Sequence, residues 1–392
     1  MMSVQPRGPL SGYRILELAT TLSGPIGAML LADQGADVIK LESPGGDQLR
    51  NAGGSRKGVA GLATMFLNAN RNKRSIVADL KSDEGRDTAR ALAAASDVVI
   101  QNFRPGVVER LGLSYDDLRK LRPDLIYVSI DGVGEVGPDR NRRVYDTVVQ
   151  ALSGFAAAQA DRITGAPGTV QNAVVDKATS MTVWQAVTAA LLHRERTGEG
   201  QHVRISMLSV ALSFLWPETM SGSTLIGDDV RKGGSMSAVQ YVFPTRDGHV
   251  MVGFVGDEEF AAVARVVERP EWIDDPRFSG VGPRFANAGE LNALLAERLT
   301  TRSSDDWLHR LREADAVFAP VNSPDAVHLD PQVVAIGAIE EHDHPVAGRI
   351  RQPAHPIRFG ASPAAYQRHA PALGEHTDEI LAELAADAGG QP

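Results

Sequence analysis

The opening third of the sequence alternates short β-branched runs with helical stretches, the pattern of a parallel sheet with helices packed on its faces. Arg14 to Leu18 reads as a strand, Pro25 to Gln34 as a helix and Asp37 to Leu41 as the next strand. The helix carries its own punctuation: Ser23 as N-terminal cap, Pro25 near the first turn and Gly35 as the stop. Together they make a βαβ-like unit. Ser75 to Asp79, Val98 to Gln101 and Leu125 to Ile130 read as further strands, with an Ala-rich helix from Glu84 to Ala95. Met181, Val183, Trp184, Val187, Ala190 and Leu191 mark a long helix from Ser180 to Glu195, and His202 to Ser206 alternates like a strand.

The pattern then changes. Ser221 to Ser237 is rich in Gly, Ser and Met and reads as a connection. Tyr241 to Phe254, with Asp247-Gly248 as its turn, reads as a hairpin, followed by helices near 258–267, 291–299 and 304–312. Strand-like segments return at 335–340 and 349–357, and a final helix spans Thr377 to Leu384.

Composition removes several kinds of chemistry. The chain of 392 residues has no cysteine, which excludes disulfides, thiolate metal sites and a cysteine nucleophile. A net charge of −9 argues against a nucleic-acid partner. No apolar run is long enough for a membrane span, and the start lacks a signal-peptide pattern, so a cytoplasmic protein is expected. Two basic clusters, Asn70 to Arg74 and Arg140 to Arg143, leave two readings open: solvated charge runs, or a site for a small polyanion.

Gly132-Val133-Gly134-Glu135-Val136-Gly137 fits the dinucleotide fingerprint, but no helix pattern begins inside it, so a glycine-rich turn is expected and no NAD site. His342-Asp343-His344 lacks a full ligand set and reads as an exposed loop, with no metal expected. Carboxylate chemistry remains. Asp176 ends the apolar run Ala173-Val174-Val175 just ahead of the long helix. Spacing leaves two readings, a helix cap or a nucleophile that needs only to be ionised.

Motifs in a fixed order carry a resemblance. They are Leu22-Ser23-Gly24-Pro25, the run from Leu31 to Lys40, Asn72-Lys73-Arg74-Ser75-Ile76 and the run from Gln101 to Leu113 that opens Gln-Asn-Phe-Arg-Pro-Gly. Tyr145-Asp146, Ser153-Gly154, the run from Thr197 to Gln201 and Gly374-Glu375-His376-Thr377 follow. From Pro9 to about Leu381 the chain resembles the class III CoA-transferases, the CaiB–BaiF family.

That resemblance implies an α/β fold: a Rossmann-like large domain with a smaller α+β domain inserted, in an interlocked homodimer. The implied boundaries are 1–200 for the N-terminal part of the large CoA-binding domain and 201–221 for a linker. The small domain then covers 222–325, a second linker 326–345, and the C-terminal part of the large domain 346–392. It implies transfer of CoA from an acyl-CoA to a free carboxylic acid, through an aspartyl-CoA intermediate on Asp176, with Tyr145 and Asp146 beside it. Asn102, Phe103, Arg110, Lys81, Arg143 and Ser23 are the implied CoA contacts, and no cofactor beyond the substrate coenzyme A is implied. Leu22, in place of a Gln common in members acting on formyl- and oxalyl-CoA, argues against those acids. Ser43 replaces a basic residue, and the glycine loop is reduced to Gly233-Gly234-Ser235. Two alternatives stay open: an α-methylacyl-CoA racemase-like enzyme, which would want a His where Tyr145 stands, and a CoA-thioester-binding protein without turnover.

Overall fold

The protein is described by a computed structural model over residues 8–161, 164–230 and 241–389. It forms two compact units, one of residues 1–220 with 337–392 and the other of residues 221–336.

The first unit is built on six parallel strands: β1 (Arg14–Glu17), β2 (Asp37–Glu42), β3 (Lys73–Val77), β4 (Val98–Gln101), β5 (Ile126–Asp131) and β6 (His202–Ser206). Their spatial order is β3-β2-β1-β4-β5-β6, the doubly wound order. Successive side chains point to opposite faces, so each strand feeds two cores. Ile15, Val38, Ile100 and Val128 pack on one face, and Leu16, Ile39, Val99 and Tyr127 on the other. Burial on both faces is why these strands read as unbroken apolar runs.

Helices α1 (Ser23–Asp33), α2 (Thr64–Asn70), α3 (Asp83–Ala94), α4 (Val107–Leu111), α5 (Tyr115–Leu118), α6 (Asp146–Ser153), α7 (Phe155–Ala158), α8 (Val174–Thr197) and α9 (Met207–Leu215) complete the N-terminal part. α1 is apolar almost all round because it is enclosed, with Leu31 and Ala28 against the sheet core that α8 also joins through Val183 and Val187. Gly27 makes the close crossing possible. A Cβ there would stand 2.9 Å from Val183 and 3.0 Å from the Ser180 carbonyl. Ser23 is the first residue of α1 and not its cap, which is Leu22, without a side-chain bond.

The stretch 201–221, implied as a linker by the resemblance, carries the strand expected at His202 to Ser206, bonded to β5 as β6, and then α9. Ile205, Met207 and Ala211 hold it by burial in the sheet core. The second unit contains an antiparallel sheet of β7 (Val242–Pro244), β8 (His249–Gly253) and β9 (Val317–Pro320). Helices α10 (Asp257–Val266), α11 (Val281–Ala286), α12 (Ala288–Leu299) and α13 (Ser304–Glu313) accompany it. Phe243, Val250, Phe260, Leu295 and Trp307 share their core. Its boundary falls at Ile336, eleven residues beyond the expected 325, because α14 (Pro331–Ala335), capped by Asp330, belongs to this unit. The chain then returns with β10 (Ile339–His344), β11 (Gly348–Pro353) and α15 (Thr377–Gly389). β10 replaces the loop expected at His342 and His344, and each imidazole there is engaged. His342 stacks on Tyr366 at 3.7 Å, while His344 accepts from the Val346 and Ala347 amides.

The first basic cluster is neither a solvated run nor a ligand site. Arg71 makes a two-bond contact with Asp33, and Arg74 pairs with Asp37, Glu379 and Glu383, which fastens α15 to β3. Lys73 is fully buried, 2.7 Å from Glu17, which Lys40 approaches from the other side at 3.4 Å. These ion pairs explain why β3 begins two residues earlier than expected: its charged residues are interior. Removing one partner of a buried group strands the others, so Glu17→Gln is expected to cost about 3–5 kcal/mol in urea unfolding. Glu341→Gln, on exposed pairs with Arg349 and Arg351, is expected to leave the urea midpoint almost unmoved. Equal losses would contradict the assignment.

Candidate active site

Strand order reverses between β1 and β4, and the crevice beyond the carboxyl ends of these two strands is where a doubly wound sheet accepts ligands. The loops that leave them are tied together by Asn102. Its Oδ1 accepts from the Thr20 amide at 3.0 Å, and its Nδ2 donates to the Thr20 carbonyl at 2.8 Å. A cleft of about 250 Å³ opens there, lined by Ser23, Asn102, Phe103, Tyr145 and Asp176 among others.

Asp176 is the third residue of α8, on its first turn. The two readings of this residue are separated by its neighbour. Asp146 Oδ1 accepts from the amides of Val175 at 2.8 Å and Asp176 at 3.0 Å, so Asp146 is what satisfies the exposed donors of the helix end. Gln150, one turn along α6, donates to the other Asp146 oxygen at 2.5 Å and bonds the backbone of Val170, which secures the arrangement. The Asp176 carboxylate is left to face the cleft. Ser23, the first residue of α1, shares that cleft wall with it. Burial pushes the Asp176 carboxyl up to about 6, with the Ser23 hydroxyl pulling down, Asp146 pushing up and Lys177 pulling down. It is mostly ionised at neutral pH, yet far less solvated than a surface acid.

The structure brings most of the expected residues together. Ser23, Asn102, Phe103, Arg143, Tyr145 and Asp176 all line the cleft. Tyr145 is 66% exposed at the head of α6. Asp146 is buried behind the lining, and its contact with the site runs through the α8 backbone. Lys81 and Arg110 are exposed and lie outside the lining. The Gly233–Ser235 loop lies outside the described residues.

Arg104, to which the sequence gives no role of its own, lines the wall too, as do Arg140 and Arg142 of the basic run left open between a solvated face and a polyanion site. With Arg143 they bring four guanidinium groups to one mouth, a setting for a polyanion. The run Arg140 to Arg143 is visible in the sequence, and the resemblance alone joins its Arg143 to Asn102. Asp131 was missed. Its carboxyl, raised by burial, accepts the Gly134 amide and holds the glycine-rich turn on the cleft wall. No helix starts inside that turn; the next begins at Asp146. Among the described residues no cluster of three or more His, Asp or Glu is placed to hold a metal ion.

Comparisons with known proteins agree with this geometry. The model of CoA-transferase family III matches residues 10–377. The succinyl-CoA:glutarate CoA-transferase of Homo sapiens is 34% identical over 96% of this chain and 86% of its own length. The succinate–glutarate CoA-transferase of Agrobacterium fabrum is 36% identical over 96% of each chain. A crystal structure of a CaiB/BaiF family protein from Brucella suis superimposes with a TM-score of 0.84 at 33% identity, covering 96% of this chain and 100% of that one. A parallel sheet with an acid at its switch point, matched along nearly the whole chain, makes this protein a CoA-transferase, a member of CoA-transferase family III.

Proposed function

We propose that Asp176 is the covalent nucleophile that carries CoA from one acid to another. The observation that carries this reading is the division of labour at the head of α8: Asp146 caps the helix, and Asp176 is open to the cleft. An Asp176 oxygen attacks the thioester carbonyl, the carbon–sulfur bond breaks, and CoA thiolate leaves an acyl-aspartyl anhydride. The thiolate attacks the aspartyl carbonyl, releasing the donor acid and leaving an aspartyl-CoA thioester. The acceptor carboxylate attacks that thioester and expels the thiolate again. The thiolate then takes the new acyl group and restores Asp176. No electron or proton is left over, so the cycle calls for no metal or organic cofactor.

The supporting chemistry is local. Arg104, Arg140 and Arg143 line the cleft and make no ion pair among the described residues, which suits CoA phosphates or a carboxylate substrate. Phe103 offers a flat apolar surface, and Tyr145 stands at the mouth within reach of an acyl group. Lys81 and Arg110 act, in this reading, at the outer end of a long ligand. Succinate and glutarate, named for the relatives, are the first acids to test. The homodimer belongs to the same reading, and Phe214 and Trp216, 60% and 44% exposed at the end of α9, support an apolar contact with a second copy. No described helix is long and apolar enough to cross a membrane; work on dissolved acyl-CoA in the cytoplasm is the setting proposed.

Three outcomes are expected. Asp176→Ala should lower exchange between succinyl-CoA and a panel of acids by at least about 10³-fold while CoA affinity stays within about twofold. Turnover near the wild-type rate would remove Asp176 from the cycle. In the wild type the rate should be level above neutral pH and fall tenfold per unit below about pH 6, as Asp176 takes up its proton. A flat profile down to pH 4.5 would oppose this. The third concerns stability. The folded-state value lies above the unfolded one, so stability is lost as pH rises through about 6. Asp176→Asn, which stays neutral, should therefore be more stable than wild type at pH 8 by on the order of 2 kcal/mol, and the gain should vanish near pH 4. An Asn variant less stable at pH 8 would contradict the burial argument.

A further inference from the structure

The turn between β1 and α1 is held in a costly backbone conformation by groups beneath it. Thr21 has φ 72°, a left-handed geometry that a β-branched residue adopts only under constraint. Its amide donates to Asp47 Oδ2 at 3.2 Å, and its hydroxyl accepts from Gln48 Nε2 at 2.7 Å. Asp47 is itself fixed. It is 2% exposed, its Oδ2 lies 3.0 Å from Lys40 Nζ, and its amide donates to Glu42. Lys40 also donates to the Ala19 carbonyl at 2.9 Å, just before the turn. From the opposite side Asn102 holds Thr20 by both amide and carbonyl. Two residues past Thr21 the chain brings Ser23 to the cleft wall that Asp176 also lines. Asp47 does not line the cleft.

We propose that Asp47 is a positioning residue for CoA transfer: by holding Thr21 in its left-handed conformation, it places the Ser23 hydroxyl where it can donate to the Asp176 carboxylate. This rests on the nucleophilic role proposed for Asp176. The groups that face Asp176 are Ser23 from α1, Asp146 from α6 and Lys177 from its own helix, with Tyr145, Asp131 and the four arginines 104, 140, 142 and 143 along the cleft wall. Of these, Ser23 is the one carried by the turn that Asp47 holds. A hydroxyl donated to a carboxylate favours the ionised form, so losing it makes Asp176 harder to ionise. A fault in folding alone would lower the amount of active enzyme and leave the acid limb of the pH–rate profile where it was.

The test is the pH–rate profile of CoA exchange for wild type, Ser23→Ala, Asp47→Ala, Asp47→Asn and Ser23→Ala/Asp47→Ala. Ser23→Ala should move the acid limb upward by about one pH unit. Asp47→Ala should move it in the same direction, and the double variant no further than Ser23→Ala. Asp47→Asn keeps the size of the side chain and can still offer an oxygen to Thr21. It should move the limb by less, and it carries the test if Asp47→Ala does not fold. A limb at the wild-type position in both Asp47 variants, while Ser23→Ala moves it, would reduce Asp47 to a structural role and overturn the proposal. So would shifts that add in the double variant, or a Ser23→Ala limb that stays in place. Failure of the nucleophile assignment looks different: a wild-type profile with no acid limb, or turnover that survives Asp176→Ala.

Discussion

A helix end must satisfy its exposed amides, and in this protein that requirement is met by a residue other than the one the chemistry needs. Asp146 accepts the amides of Val175 and Asp176 from thirty positions earlier in the chain. Were Asp176 to cap α8 itself, both its oxygens would be drawn toward the backbone and away from any thioester. Delegating the cap leaves a carboxylate at a helix N-terminus, where the macrodipole steadies its charge, while burial keeps water from solvating it fully. An acid held at about 6 is ionised in use and more basic than a surface Asp.

Charge is divided between two layers of the same sheet end. Below the site, Glu17, Lys40, Lys73 and Asp47 form a buried, electrically balanced group within salt-bridge distance of one another. Burial pushes the Lys73 ammonium down to about 8 against the pull of Glu17, so it relies on that partner to stay charged. Two of these groups also bond to carbonyls around the β1–α1 turn: Lys40 to Ala19 and Lys73 to Pro25. Above the turn, the arginines around the mouth are exposed and largely unpaired. The buried layer sets backbone geometry, and the exposed layer is left for a ligand. Both look alike as strings of Lys and Arg.

That likeness explains what the sequence made legible. The parallel sheet could be read because its strands are buried on both faces and written in Val, Ile and Leu. β3 was misplaced by two residues because Lys73 and Arg74 argue for solvent until their partners Glu17 and Asp37 are seen beside them. In the stretch 201–221 the alternation of His202 to Ser206 is legible as a strand, but its place beside β5, 75 residues earlier, and the burial of α9 depend on the fold. At the site, spacing alone left Asp176 between cap and nucleophile. The resemblance favoured the second reading, but the physical reason, a cap supplied by Asp146, required the fold. Lys81 and Arg110 were expected around CoA and lie outside the cleft wall, whereas Arg104 and Arg140 line it.

The most direct measurement of the central claim is chemical trapping on the protein itself. Enzyme incubated with succinyl-CoA in the absence of an acceptor, quenched with hydroxylamine and digested, should yield a hydroxamate on Asp176 and leave Asp146 unlabelled. Label on another carboxylate, or none while exchange proceeds at its full rate, would contradict the account.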